Sequence, residues 1–293
     1  MRIYWLEQTQ DAVPAGNTGT LAGAGTGILP VASHRQDGDA TFEFLSAREL
    51  AQLNALRLPK RREEWLLGRW TAKQAVAACL NLPSDFPSLA KIELRPTPSG
   101  APETFVNNKW APVTISLSHR AGRAVCAVAP SRGALGCDIE VIEARSDAFT
   151  TDFFDAEEQA LVARTAPDDR PWLVTLLWSA KESALKALHA GLRLDTRCVI
   201  VTPLDTPWDQ DEDHDPQPAS DQNPAPAVRR LNPANRWRPL RVRHLHDQTF
   251  LGWWQYTGNL MRTTVAAPPP ARPFLLAIPR RTTTVDSAHA QAA

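Results

Sequence analysis

A short internal repeat constrains the fold of this chain more than any other feature of its sequence. Residues 70–80, which begin with Trp70, align without gaps with residues 178–188, which begin with Trp178. Both segments carry apolar residues at helical spacing, which predicts a long helix in each. An apolar run that ends before Pro130 is matched more loosely by a run that ends before Pro268. Two matches in the same order predict two similar halves.

The predicted elements favour an α+β fold, with two similar α/β halves related by a pseudo-twofold axis and a cleft between them where a ligand would bind. We expect the first half to span residues 1–130 and the second half residues 134–267, followed by a proline-rich tail at residues 268–293. Residues 204–227 are rich in proline and aspartate and poor in branched apolar side chains, which predicts a disordered acidic insertion in the second half.

Local patterns place the individual elements. Ser46 followed by Glu49 is typical of a capping box at the start of a helix. Residues 15–27 and 83–89 are predicted loops, and residues 60–62 form a basic connector to the first long helix. Residues 229–243 are rich in arginine and are interpreted as solvated charge, or else as a partner for the acidic insertion or an acidic protein. Strands are predicted at residues 3–6, 42–45, 92–95, 113–117, 124–129, 134–142, 199–202, 250–256 and 260–267, and helices at residues 46–56, 63–80, 155–164 and 172–190.

The composition excludes several classes of function. Lysine plus arginine equals aspartate plus glutamate at 32 each, so no overall charge favours nucleic acid or a membrane as the principal partner. No apolar run of about 18 residues is present, and Glu7 interrupts any signal-peptide core near the start, so we expect a cytoplasmic protein. The four cysteines are far apart and predict reduced core residues rather than a zinc site.

The differences between the two repeats indicate where chemistry would lie. Glu182 aligns with Gln74, and Lys186 aligns with Ala78, so charge is concentrated in the second copy. This asymmetry is typical of a pair in which one half carries the reaction and the other mainly binds. The alternative interpretation is a surface ion pair one helical turn apart, which contributes about 0.2–0.5 kcal/mol.

Two further carboxylates precede the second repeat. Asp138 and Glu140 project from one face of a predicted strand, where they repel each other unless solvent or a cation meets them. Solvent is the simpler interpretation. If Glu182 joins them, three carboxylates form an oxygen-only site of the kind that suits Mg²⁺.

These residues carry a resemblance to a known family. Residues 136–140 (Gly-Cys-Asp-Ile-Glu) and residues 178–186 (Trp-Ser-Ala-Lys-Glu-Ser-Ala-Leu-Lys) resemble the paired signature of the 4′-phosphopantetheinyl transferase superfamily. The two-half, single-chain length is similar to that of its Sfp-type branch. The resemblance covers residues 60–202, and the two-part signature is its specific element.

Shorter motifs add to the resemblance, and two positions depart from it. Residues 115–119 resemble the branch's strand that ends in Ser-His, residues 153–158 its Phe-Phe segment before a helix, and residues 67–73 its coenzyme A-binding helix. Ala101 stands where the family often has a lysine or arginine, so one cationic contact to the coenzyme is absent from the pattern. His189 stands where a glycine is frequent.

The resemblance implies an enzyme that transfers the 4′-phosphopantetheine arm of coenzyme A to a serine of an acyl or peptidyl carrier protein and releases 3′,5′-adenosine bisphosphate. Asp138, Glu140 and Glu182 would hold Mg²⁺. Glu182 would also act as the base for the serine hydroxyl, directly or through a water molecule. Lys186 would stabilise or protonate the departing phosphate.

The resemblance also implies a set of contacts to coenzyme A. Arg69, with Lys73 and His119, would bind its 3′-phosphate, and Arg61 or Arg62 are weaker candidates for the same role. Ser118 would orient the adjoining loop rather than act as a nucleophile. For Lys181, a phosphate-neutralising role and a purely structural role stay open.

Some alternatives remain. Phe153 and Phe154 are either a docking surface for the carrier protein or simply core. Two other functions fit the same residues: a different Mg²⁺-dependent enzyme that cleaves pyrophosphates, and a catalytically idle scaffold that binds carrier proteins. We expect a monomer; the sequence does not say which carrier proteins are served.

Overall fold

The computed structural model describes residues 1–14, 42–205, 236–244 and 248–276. The predicted loop at residues 15–27, nearly all of the predicted insertion and the tail after residue 276 lie outside these ranges. The described residues form six α-helices: α1 (Ala47–Ala55), α2 (Pro59–Cys79), α3 (Phe86–Ala90), α4 (Asp147–Phe153), α5 (Ala156–Arg164) and α6 (Arg170–Ala187).

After β1 the chain forms three helices, then six strands, then three helices and then five strands, and these separate runs confirm the α+β class. They are β1 (Tyr4–Thr9), β2 (Ile92–Pro96), β3 (Pro102–Val106), β4 (Lys109–Trp110), β5 (Thr114–Arg120), β6 (Arg123–Ala129), β7 (Ala134–Val141), β8 (Val199–Pro203), β9 (Arg238–His244), β10 (Gln248–Thr257), β11 (Leu260–Ala267) and β12 (Phe274–Leu275).

The strands form three sheets, with the orders β12-β1-β6-β5, β7-β11-β10-β9-β8 and β2-β3-β4. In the second half, β8, β9, β10, β11 and β7 are consecutive neighbours, and the equivalent first-half series is β2, β3, β5, β6 and β1. The first-half series is divided, because β3 and β5 lie in separate sheets. The order of elements is thus repeated, while the pseudo-twofold axis and the cleft stay predictions.

Each long helix covers one sheet, and a third apolar cluster lies between the sheets. The helix α2 contributes Ala72 and Val76 to the first core, and α6 contributes Leu177 and Leu185 to the second. The third cluster brings residues of β1 and β6 against residues of β7 and β10, and its members include Trp5, Val125, Ile139 and Trp253. This central cluster fixes β7 against the first half.

Gly136 allows α6 to lie directly on β7. A Cβ atom at this position would be 1.7 Å from the backbone oxygen of Ser183, a distance that no side chain can tolerate. Glycine is the residue that permits such close approach of two backbones. The contact places the half-buried Glu182 and Lys186 of α6 beside the carboxylate-bearing end of β7.

Several predicted elements are confirmed. The capping box at Ser46 and Glu49 is present in both directions. The predicted strands at residues 250–256 and 260–267 pair as a hairpin. Within the proline-rich tail, Phe274 and Leu275 pair in parallel with Tyr4 and Trp5.

Other predicted elements are wrong. Residues 42–45 form a turn, closed by a hydrogen bond of 2.9 Å from the Leu45 N–H to the Phe42 carbonyl oxygen, instead of a strand. The predicted loop at residues 83–89 contains α3, whose first turn is capped by Asp85. The basic connector lies inside α2, which begins at Pro59 because proline suits the first helical position.

The arginine-rich stretch is only partly solvated. Residues 229–235 lie outside the described residues, but Arg238–His244 is the strand β9. Its alternate residues Leu240 and Val242 are fully buried, while Arg241 and Arg243 lie on the other face. The described helices include none that is long and apolar enough to cross a membrane.

Candidate active site

The helix α6 and the strand β7 bring the two parts of the sequence signature together. Lys186 donates hydrogen bonds from Nζ to Oδ1 of Asp138 at 2.8 Å and to the carbonyl oxygen of Cys137 at 3.0 Å. Burial lowers the pKa of Lys186, but the charge of Asp138 and the other nearby anions more than offset that effect and raise it overall. The ammonium therefore stays charged at neutral pH.

Two serines hold the carboxylate of Asp138 from opposite sides. Ser118 of β5 donates to Oδ1 at 2.8 Å, and Ser179 of α6 donates to Oδ2 at 2.9 Å. Ser179 was not predicted as a site residue. The sequence does contain a signal for it, because Ser179 aligns with Thr71 and both copies of the repeat therefore carry a hydroxyl at this position. The hydroxyl of Thr71, however, donates to the carbonyl oxygen of Leu67 within its own helix.

Glu140 lies between two arginines that sequence reasoning missed. Oε2 of Glu140 is 3.2 Å from Nε of Arg120 and 3.9 Å from a guanidinium nitrogen of Arg145, yet no donor is aligned to hydrogen-bond it. Burial and the neighbouring Asp138 raise the pKa of Glu140. No sequence signal identified these arginines, because the contacts join three different elements.

Glu182 shares the electrostatic environment of the other two carboxylates. Burial raises its pKa first, and the charges of Asp138 and Glu140 raise it further, while Lys186 opposes them. Within the described ranges, no group of three or more acidic, histidine or cysteine side chains is arranged as a ready metal cluster. Even so, the buried Oε2 of Glu140 has no hydrogen-bond donor among the described residues, and carboxylate oxygens are the ligands that Mg²⁺ prefers. The residues present therefore fit a Mg²⁺ ion.

A pocket of about 380 Å³ lies beside this group, between the first half and the end of α6. Its cationic lining residues are Arg69, Arg95 and Lys186. A groove of about 660 Å³ adjoins it and shares Arg69 with it, and Arg61, Ser118 and His119 line this groove. The two hollows together present positive charge from both halves, as a ligand with several phosphates requires.

Arg69 and Arg62 differ sharply in what they can bind. Arg69 lies over the ring of Trp65, with 4.7 Å from its guanidinium carbon to the ring centre, and its side chain keeps 17% of its surface exposed. Burial lowers its pKa, and the charge of Glu49 opposes this. Arg62 instead donates to the carbonyl oxygen of Leu53 at 2.7 Å, which anchors α2 to α1.

The structure places Lys73 and Lys181 away from both hollows. Nζ of Lys73 is 2.6 Å from Glu49, and Nζ of Lys181 is 2.6 Å from Glu158; both lysine side chains have 0% exposed surface. Neither ammonium has surface left for a phosphate, so the expectation that they bind coenzyme A does not fit their placement. For Lys181 the structural role is the one that agrees with the contacts.

These two buried ion pairs are equivalent in the two halves. Glu49 and Glu158 are each the third residue of a capped helix, in α1 and α5. Each glutamate also accepts a hydrogen bond from the backbone of the following strand, from Leu94 at 3.3 Å or from Val201 at 2.8 Å. The internal repeat thus extends to a buried lysine–glutamate–strand unit.

The remaining predicted positions are also located. Phe154 is fully buried, and Phe153 packs on Trp178 with ring centres 5.2 Å apart, so both belong to or cover the core. Ala101 and His189 line the pocket. His189 has a φ of 54°, a conformation that favours glycine, which is the family's frequent residue there.

A family model described as the 4′-phosphopantetheinyl transferase superfamily matches the chain in two segments, residues 25–129 and residues 134–232. The segments cover more than half of the chain and meet between β6 and β7. No curated protein gives a significant match to the chain. The chain belongs to the 4′-phosphopantetheinyl transferase superfamily.

Proposed function

We propose that this protein transfers the 4′-phosphopantetheine arm of coenzyme A to a serine of an acyl or peptidyl carrier protein, with Mg²⁺, and releases 3′,5′-adenosine bisphosphate. The observation that carries the proposal is the position of Lys186. Its ammonium bonds Asp138 and also lines the pocket between the halves. One cation thus connects the carboxylate group with the space where a pyrophosphate would lie.

The second half supplies the reacting groups. Asp138, Glu140 and Glu182 would hold Mg²⁺, which when bound neutralises charge that develops on the bridging phosphate oxygens. Glu182, directly or through a water molecule, accepts the proton of the carrier serine while the serine oxygen attacks the phosphorus next to the pantetheine arm. The bond from that phosphorus to the bridging pyrophosphate oxygen breaks, and 3′,5′-adenosine bisphosphate leaves. Burial and the neighbouring carboxylates raise the pKa of Glu182, which makes it a stronger base than an exposed glutamate until a metal binds.

Lys186 stabilises the departing phosphate. Its ammonium is held by Asp138 and by the carbonyl oxygen of Cys137, so it presents a fixed charge to the pocket. Fixed donors aimed at developing negative charge are a large source of rate enhancement, because they need no reorganisation during the reaction. Because Lys186 stays protonated, it acts in this proposal through charge and hydrogen bonding.

The first half supplies the coenzyme contacts. Arg69 lies where the pocket and the groove meet, and Arg61 and His119 line the groove. These three groups would bind the phosphates of coenzyme A, of which the 3′-phosphate is the one not involved in the reaction. Lys73 and Lys181 take no part in this scheme.

The test is incubation of the purified protein with Mg²⁺, coenzyme A and a panel of carrier domains, followed by intact-mass measurement. We expect a gain equal to one phosphopantetheine arm on at least one carrier. Glu182→Gln should abolish the gain. Glu157→Gln is a matched control, because Glu157 lies on α5 and pairs with Arg243 at 3.0 Å, away from the pocket.

The panel also separates the alternatives. Hydrolysis of coenzyme A or nucleotides without any carrier would favour another Mg²⁺-dependent pyrophosphate-cleaving enzyme. Carrier binding with no mass gain on any carrier would favour an idle scaffold. We further propose a cytoplasmic monomer, a prediction that fractionation and light scattering would check.

A further inference from the structure

Strand β5 of the first half contacts β7 of the second half through alternate side chains. Ser116 accepts a hydrogen bond of 2.9 Å at Oγ from the backbone N–H of Cys137. Two residues later Ser118 donates to Asp138 at 2.8 Å, and two residues later again Arg120 lies 3.2 Å from Glu140. Residues two apart on a strand share one face, so a single face of β5 meets both carboxylates of β7.

The carboxylates need this support because they lie on one face of their strand and repel each other. Asp138 is almost fully buried, with 4% of its surface exposed, so water does little to screen that repulsion. The hydroxyl of Ser118 helps to fix the rotamer of this carboxylate, and because Lys186 also donates to Oδ1 while Ser179 alone donates to Oδ2, a lone pair for a metal remains on Oδ2. Asp138 is thereby oriented by a residue that belongs to the other half of the molecule.

We propose that Ser118 is a positioning residue for the carboxylates of the second half, and that it acts through Asp138 rather than by binding the coenzyme. The inference rests on the proposed function and goes further, because it makes the metal site depend on the junction of the two halves. Arg120 supports the other carboxylate, Glu140, through the charge of its guanidinium group. Formation of the site then requires β5 and β7 to be assembled.

The distinguishing experiment measures two affinities separately in the full-length protein. Mn²⁺ binding, a spectroscopic substitute for Mg²⁺ at oxygen ligands, is followed by electron paramagnetic resonance, and coenzyme A binding without metal is followed by calorimetry. Ser118→Ala should weaken Mn²⁺ binding and lower kcat by about 10–100-fold, the usual cost of losing a group that orients a metal ligand. The affinity for metal-free coenzyme A should not change.

Two variants serve as references. Ser118→Thr keeps a hydroxyl and should restore Mn²⁺ binding to near the wild-type value. Thr114→Val removes a hydroxyl from the same strand, but one that bonds the carbonyl oxygen of Ser131 at 2.9 Å, so Mn²⁺ affinity should be unchanged. Thermal denaturation of each variant establishes that it is folded.

Three outcomes would overturn the proposal. Ser118→Ala could weaken the binding of coenzyme A and leave the binding of Mn²⁺ intact, which would make Ser118 a coenzyme contact. It could change neither affinity, or Ser118→Thr could fail to restore Mn²⁺ binding. Wild-type protein that binds Mn²⁺ but modifies no carrier would refute the proposed function and leave the positioning role of Ser118 standing.

Discussion

Replacement of Lys181 by methionine should destabilise the fold strongly without touching the candidate active site. Nζ of Lys181 is 2.6 Å from Glu158 and 2.9 Å from the carbonyl oxygen of Thr196, and both side chains of the ion pair are buried. Lys181→Met would leave the carboxylate of Glu158 without its counter-charge in the core. Loss of one partner of a buried ion pair costs about 3–5 kcal/mol of unfolding free energy.

Two other lysines of the chain provide references for the size of this loss in stability. Lys73→Met removes the equivalent ammonium in the first half, also 2.6 Å from its glutamate, and should cost a similar amount. Lys60→Met breaks a pair of 4.0 Å at the surface, where the lysine side chain is 88% exposed. Exposed pairs contribute at most about 1 kcal/mol, so Lys60→Met should be nearly neutral.

The pH dependence of Lys181→Met gives a second check. Burial raises the pKa of Glu158, whereas the charge of Lys181 lowers it, so loss of Lys181 raises the pKa of Glu158 further. The unfolded state keeps the ordinary glutamate pKa of about 4.3. The folded variant then binds a proton that the unfolded chain does not, and its stability rises as the pH falls through the raised pKa.

Chemical denaturation monitored by tryptophan fluorescence, at pH 8 and at pH 5.5, measures these effects. The double variant Glu158→Gln with Lys181→Met should recover much of the lost stability, because it removes the unpaired charge. A loss below about 1 kcal/mol for Lys181→Met, or a loss equal to that of Lys60→Met, would refute the argument, since the pair would then behave as an exposed one.

Three further predictions follow from the site and its packing. Gly136→Ala should lower both the thermal stability, measured by denaturation, and the transfer of phosphopantetheine to the carrier, measured by intact mass, because the new Cβ would overlap the backbone of Ser183. Arg69→Gln should raise KM for coenzyme A with a smaller effect on kcat, since Arg69 lines both hollows and touches no carboxylate of the catalytic group; an unchanged KM would remove it from the coenzyme site. Chelation of Mg²⁺ should abolish carrier modification reversibly and leave circular dichroism unchanged.

The sequence was informative where local chemistry decides structure. The capping box at Ser46 and Glu49, the strand with Asp138 and Glu140, and the two long helices all follow from patterns within about 20 residues. The strand β3 was missed because its first two residues, Pro102 and Glu103, have weak strand preference. Its pairing with β2 is what makes it a strand.

The candidate site likewise contains residues that the sequence identifies and residues that only the structure reveals. The repeat comparison identified Glu182 and Lys186, because substitution between aligned copies is visible in the sequence alone. The same comparison left the role of Lys181 open, because Lys73 occupies the aligned position and because the burial of Lys181 depends on Glu158 and on the strand β8, which lie on other elements. Arg120 and Ser179 were missed for a related reason, since contacts between elements leave no periodic signal.

The side chain of Gln74 shows that a repeated helix does not by itself carry a repeated active site. Gln74 occupies the place of Glu182 in the first copy and is 5% exposed, and in the part of the chain that the structure describes its Oε1 has no hydrogen-bond donor. A carboxylate there would be desolvated, and Ala78 stands where Lys186 stands in the second copy, so inheritance of the helix would not bring inheritance of the reaction. An engineer who wished to install a second catalytic centre would have to rebuild the neighbourhood of Gln74, not merely copy a glutamate into it.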